Sequence, residues 1–568
     1  MTEEFRKTPP RPLEPKPFNI PAPFEASLSN GLRVVIVENR RLPIVNFRLA
    51  FRFGEVNSPS GLRGLASAVS SLLTQGTVKR TSLQLAEESE NIGASLHASS
   101  SSDNTVLSGS SLTIYRREIL DLMAEVLLQP SFPENELSLY KENTIKSLEF
   151  QRSQSDFLAD EQVSRIIYGD HPYGIASPKP SEIEKLTRED LIAFHQEHFI
   201  PAEAILFAVG DVDHLSLLSE LEEVFSGWTG GETKVVEFPA MPDRTERTLT
   251  IVDRIGSAQA NIVLANPGVN RNHPDYFKII VMNQILGAGA SSRLFMNIRE
   301  DKGYTYGAYS SFDARRLCGA FEASAEVRTE VTKESLNEFF YELNRIRDGE
   351  VSESELQDAK DYLAGVFPLR AETQEGLTNL IVSQKLNDLP ADYLQTYRDN
   401  VNNVTRDDVK AVAEKFVTPD RMAIVIVGDA REILAQTEEF SSNIEIYSSE
   451  GELQEISSYR TEPGDEPATI TGKWSVTIDF QGQKIPVSFN IEQNEAEFSG
   501  AFESAFGAGV LTNGVLTGNR AKADVSIDFQ GMPLLAQMNA SINGEVLSGV
   551  LASSTEGFPE LSFTGVRE

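Results

Sequence analysis

An internal repeat constrains this chain more than any other feature. Leu186-Thr187-Arg188-Glu189-Asp190-Leu191 returns 218 residues later as Val404-Thr405-Arg406-Asp407-Asp408-Val409. Gly210-Asp211, closing the apolar run AILFAVGD, returns at the same spacing as Gly428-Asp429, closing AIVIVGD. A period this long means two domain-sized copies of one fold rather than a solenoid. Strand-like alternation in GLRVVIVE and VNFRLAFRFGE is followed by helix-like GLASAVSSLL and SLQLAEESENI, a mixed α+β pattern. Two homologous mixed α/β half-domains are therefore expected, over 25–232 and 233–440.

The flanks differ in kind. Residues 8–23 hold seven prolines, so 1–24 is expected to be an extended arm. Residues 438–466 carry nine acidic residues against one basic, Arg460, which predicts an acidic linker over 441–468. Beyond it the pattern is all-β: Trp474, Val476, Ile478 and Phe480 alternate with polar residues, and VTIDFQG at Val476 returns 49 residues on as VSIDFQG at Val525. A small antiparallel β-barrel or sandwich is expected over 469–568.

Composition excludes several function classes. A net charge of −33 argues against nucleic acid or an anionic membrane surface as partner, since both need a basic face. Cys318 is the single cysteine, so neither an intrachain disulfide nor a cysteine zinc cluster can form. No apolar run reaches the roughly 18 residues that span a bilayer, and the N-terminus as written lacks a signal-type apolar stretch. No membrane insertion and a cytoplasmic location are expected, or a periplasmic one if the N-terminus is processed or mis-started. His195-Gln196-Glu197-His198 lacks a base and a third ligand and reads as a helix surface or cap.

The segment Gly64-Leu65-Ala66-Ser67-Ala68-Val69-Ser70-Ser71, ending in Gly76-Thr77, resembles the metal helix of the insulinase or pitrilysin zinc peptidases, a family that includes mitochondrial processing peptidase. By that resemblance Ser67 and Ser71 stand where histidines bind zinc, and Ser70 where a glutamate acts as general base. Serine hydroxyls are poor zinc ligands and weak bases, so zinc hydrolysis at this site is unsupported. Glu142 and Glu149 hold the spacing of the family's downstream acidic pair and complete a degenerate site. The resemblance therefore implies no metal in this chain.

A second stretch carries the resemblance further. Gly287-Ala288-Gly289-Ala290-Ser291-Ser292-Arg293-Leu294-Phe295 leads to Arg299 and, seven residues on, Tyr306. In the family such a pair reaches the substrate carbonyl, and Gly287, Gly289, Ser291 and Ser292 match the loop that grips substrate. Gly303 suits a helix C-terminal cap, placing Arg299 at a helix end and Tyr306 in the next strand. A local reading stays open, with Arg299 paired to Glu300 or Asp301 and Tyr306 in a strand core. The resemblance implies a clam-like half-shell acting as the non-catalytic, peptide-binding subunit of a heterodimeric zinc endopeptidase. The homologous partner would carry zinc, and the substrate would be an unfolded peptide. A structural or peptide-binding scaffold without a role in proteolysis is the alternative, and a hydrolase with an unrecognised site a third reading.

Overall fold

The computed structural model describes residues 20–231, 236–460, 468–480, 483–504, 507–529, 532–553 and 561–568. Nearly all of the proline-rich arm lies outside the described residues.

The repeat becomes two sheets built on one frame. The first contains β1 (Phe24–Ser27), β2 (Arg33–Glu38), β3 (Ile44–Phe51), β4 (Ser95–Ser100), β5 (Thr105–Leu112) and β6 (Ala204–Gly210), in the order β1-β2-β6-β3-β5-β4. The second contains β7 (Thr248–Asp253), β8 (Gln259–Pro267), β9 (Thr305–Ala314), β10 (Gly319–Arg328), β11 (Ala423–Gly428), β12 (Ile444–Ser448) and β13 (Leu453–Gln454), ordered β13-β12-β7-β11-β8-β10-β9. In each, the late strand β6 or β11 runs parallel to β2 or β7 and antiparallel to β3 or β8. Both late strands are buried throughout, as unbroken apolar runs require of a strand covered on two faces. The repeated threonines start helices: Thr187 caps Arg188–His198 in a box with Asp190, and Thr405 caps Arg406–Phe416 with Asp408.

Each half covers one face of the other's sheet. The helix Ser155–Tyr168 leaves the first half and packs on β8 and β11, while Gln374–Leu386 leaves the second and packs on β3 and β6. Leu158, Val163 and Ile167 share a core with Val252, Val263 and Val425. Leu377 and Ile381 share one with Val35, Ile205 and Phe207. A strand apolar on both sides must be shielded from water on both, so the halves interlock.

Two expected boundaries move. The stretch from 441, expected as linker, forms β12, parallel to β7, and β13, antiparallel to β12. Ile446 is fully buried while Glu445 is exposed, so alternation docks one face and the acids stay outside. The arm also ends earlier than 24: Ile20 lies in a core and β1 begins at Phe24.

The C-terminal part is a closed barrel of β14 (Gly472–Phe480), β15 (Gln483–Asn494), β16 (Glu497–Ser504), β17 (Gly507–Thr517), β18 (Arg520–Phe529), β19 (Met532–Asn543), β20 (Val546–Ser553) and β21 (Leu561–Arg567). Pairing of β21 with β14 removes both edges, which settles barrel over sandwich. Trp474 is fully buried, its indole donating to the Ile470 carbonyl at 2.9 Å, and it packs with Phe489, Phe502 and Met538. The barrel is tied to the second half by Arg520, which pairs with Asp429 and, at 3.5 Å, with Asp253. Arg431 adds a donor to the Thr517 carbonyl at 2.9 Å. No helix among the described residues is long and apolar enough to cross a membrane.

Candidate functional site

The helix Leu65–Leu72 starts at Gly64, whose φ of 87° is left-handed and whose Cβ, if present, would lie 2.6 Å from Ile183. Glu55 takes up the helix's free donors, accepting from Gly64 N at 3.0 Å and Ser67 N at 2.7 Å. The apolar residues face the core, and Ser67 and Ser71 are half-buried. Ser70 is buried and donates to the Ser67 carbonyl at 3.0 Å, so its hydroxyl is occupied within the helix. The helix touches Glu134–Arg152, the helix that carries Glu142 and Glu149. Both glutamates are exposed, and Glu142 pairs with Lys146 at 2.6 Å, which lowers its pKa. Three hydroxyls, one used internally, and two solvent-facing carboxylates do not fit a zinc ion.

In the second half the helix Tyr276–Leu286 ends at Gly287. The loop crosses β9 so closely that a Cβ on Gly287 would lie 2.4 Å from Ser310 N, and Ser310 N donates to the Gly287 carbonyl at 2.9 Å. Gly289 is half-buried, Ser291 exposed, and Ser292 buried with an unpartnered hydroxyl. Arg293 pairs with Glu355 at 2.8 Å and anchors the loop. Arg299 then sits in a π-helix, Phe295–Asp301, a geometry frequent at functional sites. Gly303, with φ 66°, ends that turn and donates to the Arg299 carbonyl at 3.1 Å. The Arg299 guanidinium pairs with Glu300 at 2.6 Å and lies 5.6 Å from the Phe295 ring centre.

Tyr306 is 89% exposed, which rules out the strand-core reading. A β-bulge is the cause: Thr305 faces Val327 and Ala308 faces Ala325, leaving Tyr306 and Gly307 opposite Glu326 alone. The Thr305 hydroxyl holds the bulge, donating to the Glu326 carbonyl at 2.6 Å and accepting from Gly307 N at 3.1 Å. A Cβ on Gly307 would fall 2.6 Å from the Tyr309 ring, so a larger residue there would have to displace that side chain. Sequence reading missed Thr305 and Gly307, although a Thr-x-Gly at the start of a strand could have signalled a bulge. The serine helix and the Arg299/Tyr306 pair stand on different sheets. The two sheets end alike, however, with β4 and β9 each paired on one side only.

Two further features are structural. His195, expected on a helix surface or as a cap, is part-buried, bonded at 2.8 Å to the Leu127 carbonyl in the last turn of the helix Arg116–Leu128 and stacked on Phe199. Burial lowers its pKa to about 4. Glu38, Asp213 and His214 bring donor atoms within 4.8 Å of one another. Glu38 already binds His214 at 2.7 Å and Arg40 at 3.3 Å, and Asp213 caps a helix through Ser216 N, so the group reads as an ion-paired cap.

Fold and site together define a peptidase-shaped protein whose metal helix is serine-rich. The chain belongs to the insulinase (peptidase M16) family: the family model matches residues 33–181, and that of the peptidase M16 inactive domain matches 185–363 and 403–485. It is 23% identical over 402 residues to a Bacillus subtilis protein named uncharacterized zinc protease YmxG, covering 69% of this chain and 95% of that protein. A Helicobacter pylori protein named non-peptidase homolog YmxG is 24% identical over 407 residues, covering 70% of this chain and 92% of its own. A crystal structure described as a peptidase M16 inactive domain from Pseudomonas fluorescens superposes with a TM-score of 0.67 at 27% identity, over 72% of this chain and 98% of that one. The family models end at residue 485, so most of the barrel lies beyond them.

Proposed function

We propose that this chain is the non-catalytic, peptide-binding subunit of a two-chain zinc endopeptidase, lending Arg299 and Tyr306 to a homologous, zinc-bearing partner. The observation that carries this reading is the bulge at Thr305–Gly307, which turns a tyrosine outward on the strand that follows the turn of a half-exposed arginine. A side chain that only packed would not need such a device. In the first half, by contrast, the serine helix has no base or ligand of the required type. The phenol and guanidinium would donate hydrogen bonds to the carbonyl oxygen of the scissile peptide as it gains negative charge. Glu300 would have to yield Arg299, a small cost for an exposed pair. The one-sided strand β4, beside the serine helix, offers an unfolded peptide a row of backbone partners. The relative named non-peptidase homolog agrees with a chain that does not cut alone.

The test is a peptidase assay on this chain mixed with a zinc-bearing homologue. Arg299→Ala and Tyr306→Phe should each lower kcat by roughly 100-fold or more, the scale of losing one oxyanion donor, with KM little changed. Full rates in both variants would leave the scaffold reading. One equivalent of zinc on the single chain would overturn the ligand argument.

A further inference from the structure

We propose that a cavity at the seam between the two halves binds a small oxyanion, a phosphate or a carboxylate. The cavity has a volume of about 230 Å³ and takes its walls from both halves. The first half contributes Arg52 after β3 and the β4–β5 turn, Ser101–Asn104; the second contributes Arg315 and Arg316 in the β9–β10 turn and the end of the helix Gln374–Leu386.

Three arginines line the cavity in a chain whose net charge is −33. The one acid in the wall, Asp103, is used up: one oxygen accepts from the Tyr173 hydroxyl, the other from Arg316 N at 3.2 Å. Arg315 is held by Asp313 and lies over the rings of Tyr168 and Tyr173, at 5.2 and 4.8 Å. Arg52 pairs with Asp388, yet its Nε is buried without a partner. Arg316 has no ion pair among the described residues, and its Nε is likewise buried and unpartnered.

A guanidinium without an ion pair is costly to leave unmet, and Arg316, lining a cavity beside two further arginines, calls for an acceptor there. A tetrahedral or planar oxyanion supplies several acceptor atoms at once and matches the fork of a guanidinium. Because both halves contribute, such a ligand would also brace the seam.

The experiment uses the full chain in calorimetric titrations at constant ionic strength, with inorganic phosphate in one arm and acetyl-dialanine as free acid or amide in the other. Saturable binding is expected in at least one arm, reduced tenfold or more by Arg316→Gln and unchanged by Arg328→Gln, an exposed arginine elsewhere. If Arg316→Gln fails to fold, Arg316→Lys, which keeps the charge but loses Nε, should weaken binding at least threefold. Phosphate binding alone identifies a phosphate ligand; binding of the acid but not the amide identifies a carboxylate. No saturable binding in either arm, or wild-type affinity in both Arg316 variants, would falsify the proposal.

Discussion

The two halves carry one frame to opposite ends. At the close of β2 in the first half, Glu38 accepts from the backbone N of His214; at the close of β7 in the second, Asp253 accepts from the backbone N of Ala430. Both are strand-end carboxylates capping the helix that follows the last strand of the frame. The first stays in the open, its side chain 35% exposed, whereas the barrel covers the second and leaves Asp253 at 9%. Chemistry diverges in the same way. The first half carries the serine-filled helix Leu65–Leu72, and the second leaves Tyr306 exposed and Arg299 half-exposed. A duplicated frame lets each copy specialise without rebuilding the fold.

The sharpest way to break the comparison is Arg520→Ala. It strands Asp253 and Asp429 as buried, unpaired acids and should cost about 3–5 kcal/mol in urea denaturation. Next, Leu158→Ala and Leu377→Ala delete matching buried anchors of the exchanged helices, at 2% and 3% exposure. Each should cost about 2–5 kcal/mol, and the two halves should still unfold in one transition, because each covers the other's sheet.

A smaller effect is expected at Glu322, where burial, with Asp160 and Asp313 nearby, pushes the carboxyl up to about 7 despite Arg315. The folded state then holds a proton that the unfolded state releases near the ordinary carboxylate value of 4.5. Its stabilising contribution is full below pH 4.5 and lost as pH rises through 7. Glu322→Gln should therefore gain about 2 kcal/mol at pH 8 relative to pH 5, read from thermal melts. Smallest of all, Glu38→Gln should change stability by under about 0.5 kcal/mol, since its pair is open to solvent. A loss there as large as that of Arg520→Ala would erase the contrast between the halves.

Much of this was readable before the structure. Thr187 and Thr405 mark the helix starts because a capping box is local chemistry, and β6 and β11 announce themselves as unbroken apolar runs. Gly303 signalled the end of the Arg299 turn for the same reason. What misled were features that need a distant partner. The acidic stretch after 441 looks like linker, yet Ile446 finds β7 and becomes a strand. His195 reads as a surface residue or a cap, and which helix end it meets, that of Arg116–Leu128, is visible only in space.

The sequence by itself determined the duplication, the serine-filled helix, the Arg299/Tyr306 pair and an all-β C-terminal domain, because each is written in residue type and short-range spacing. Only the tertiary structure decided that the halves exchange helices, that the last eight strands close into a barrel, that Arg520 locks the barrel to Asp253 and Asp429, and that arginines from both halves line one cavity at the seam. Those outcomes depend on which apolar faces and charges find one another across hundreds of residues, and burial acts on proximity in space rather than on order along the chain.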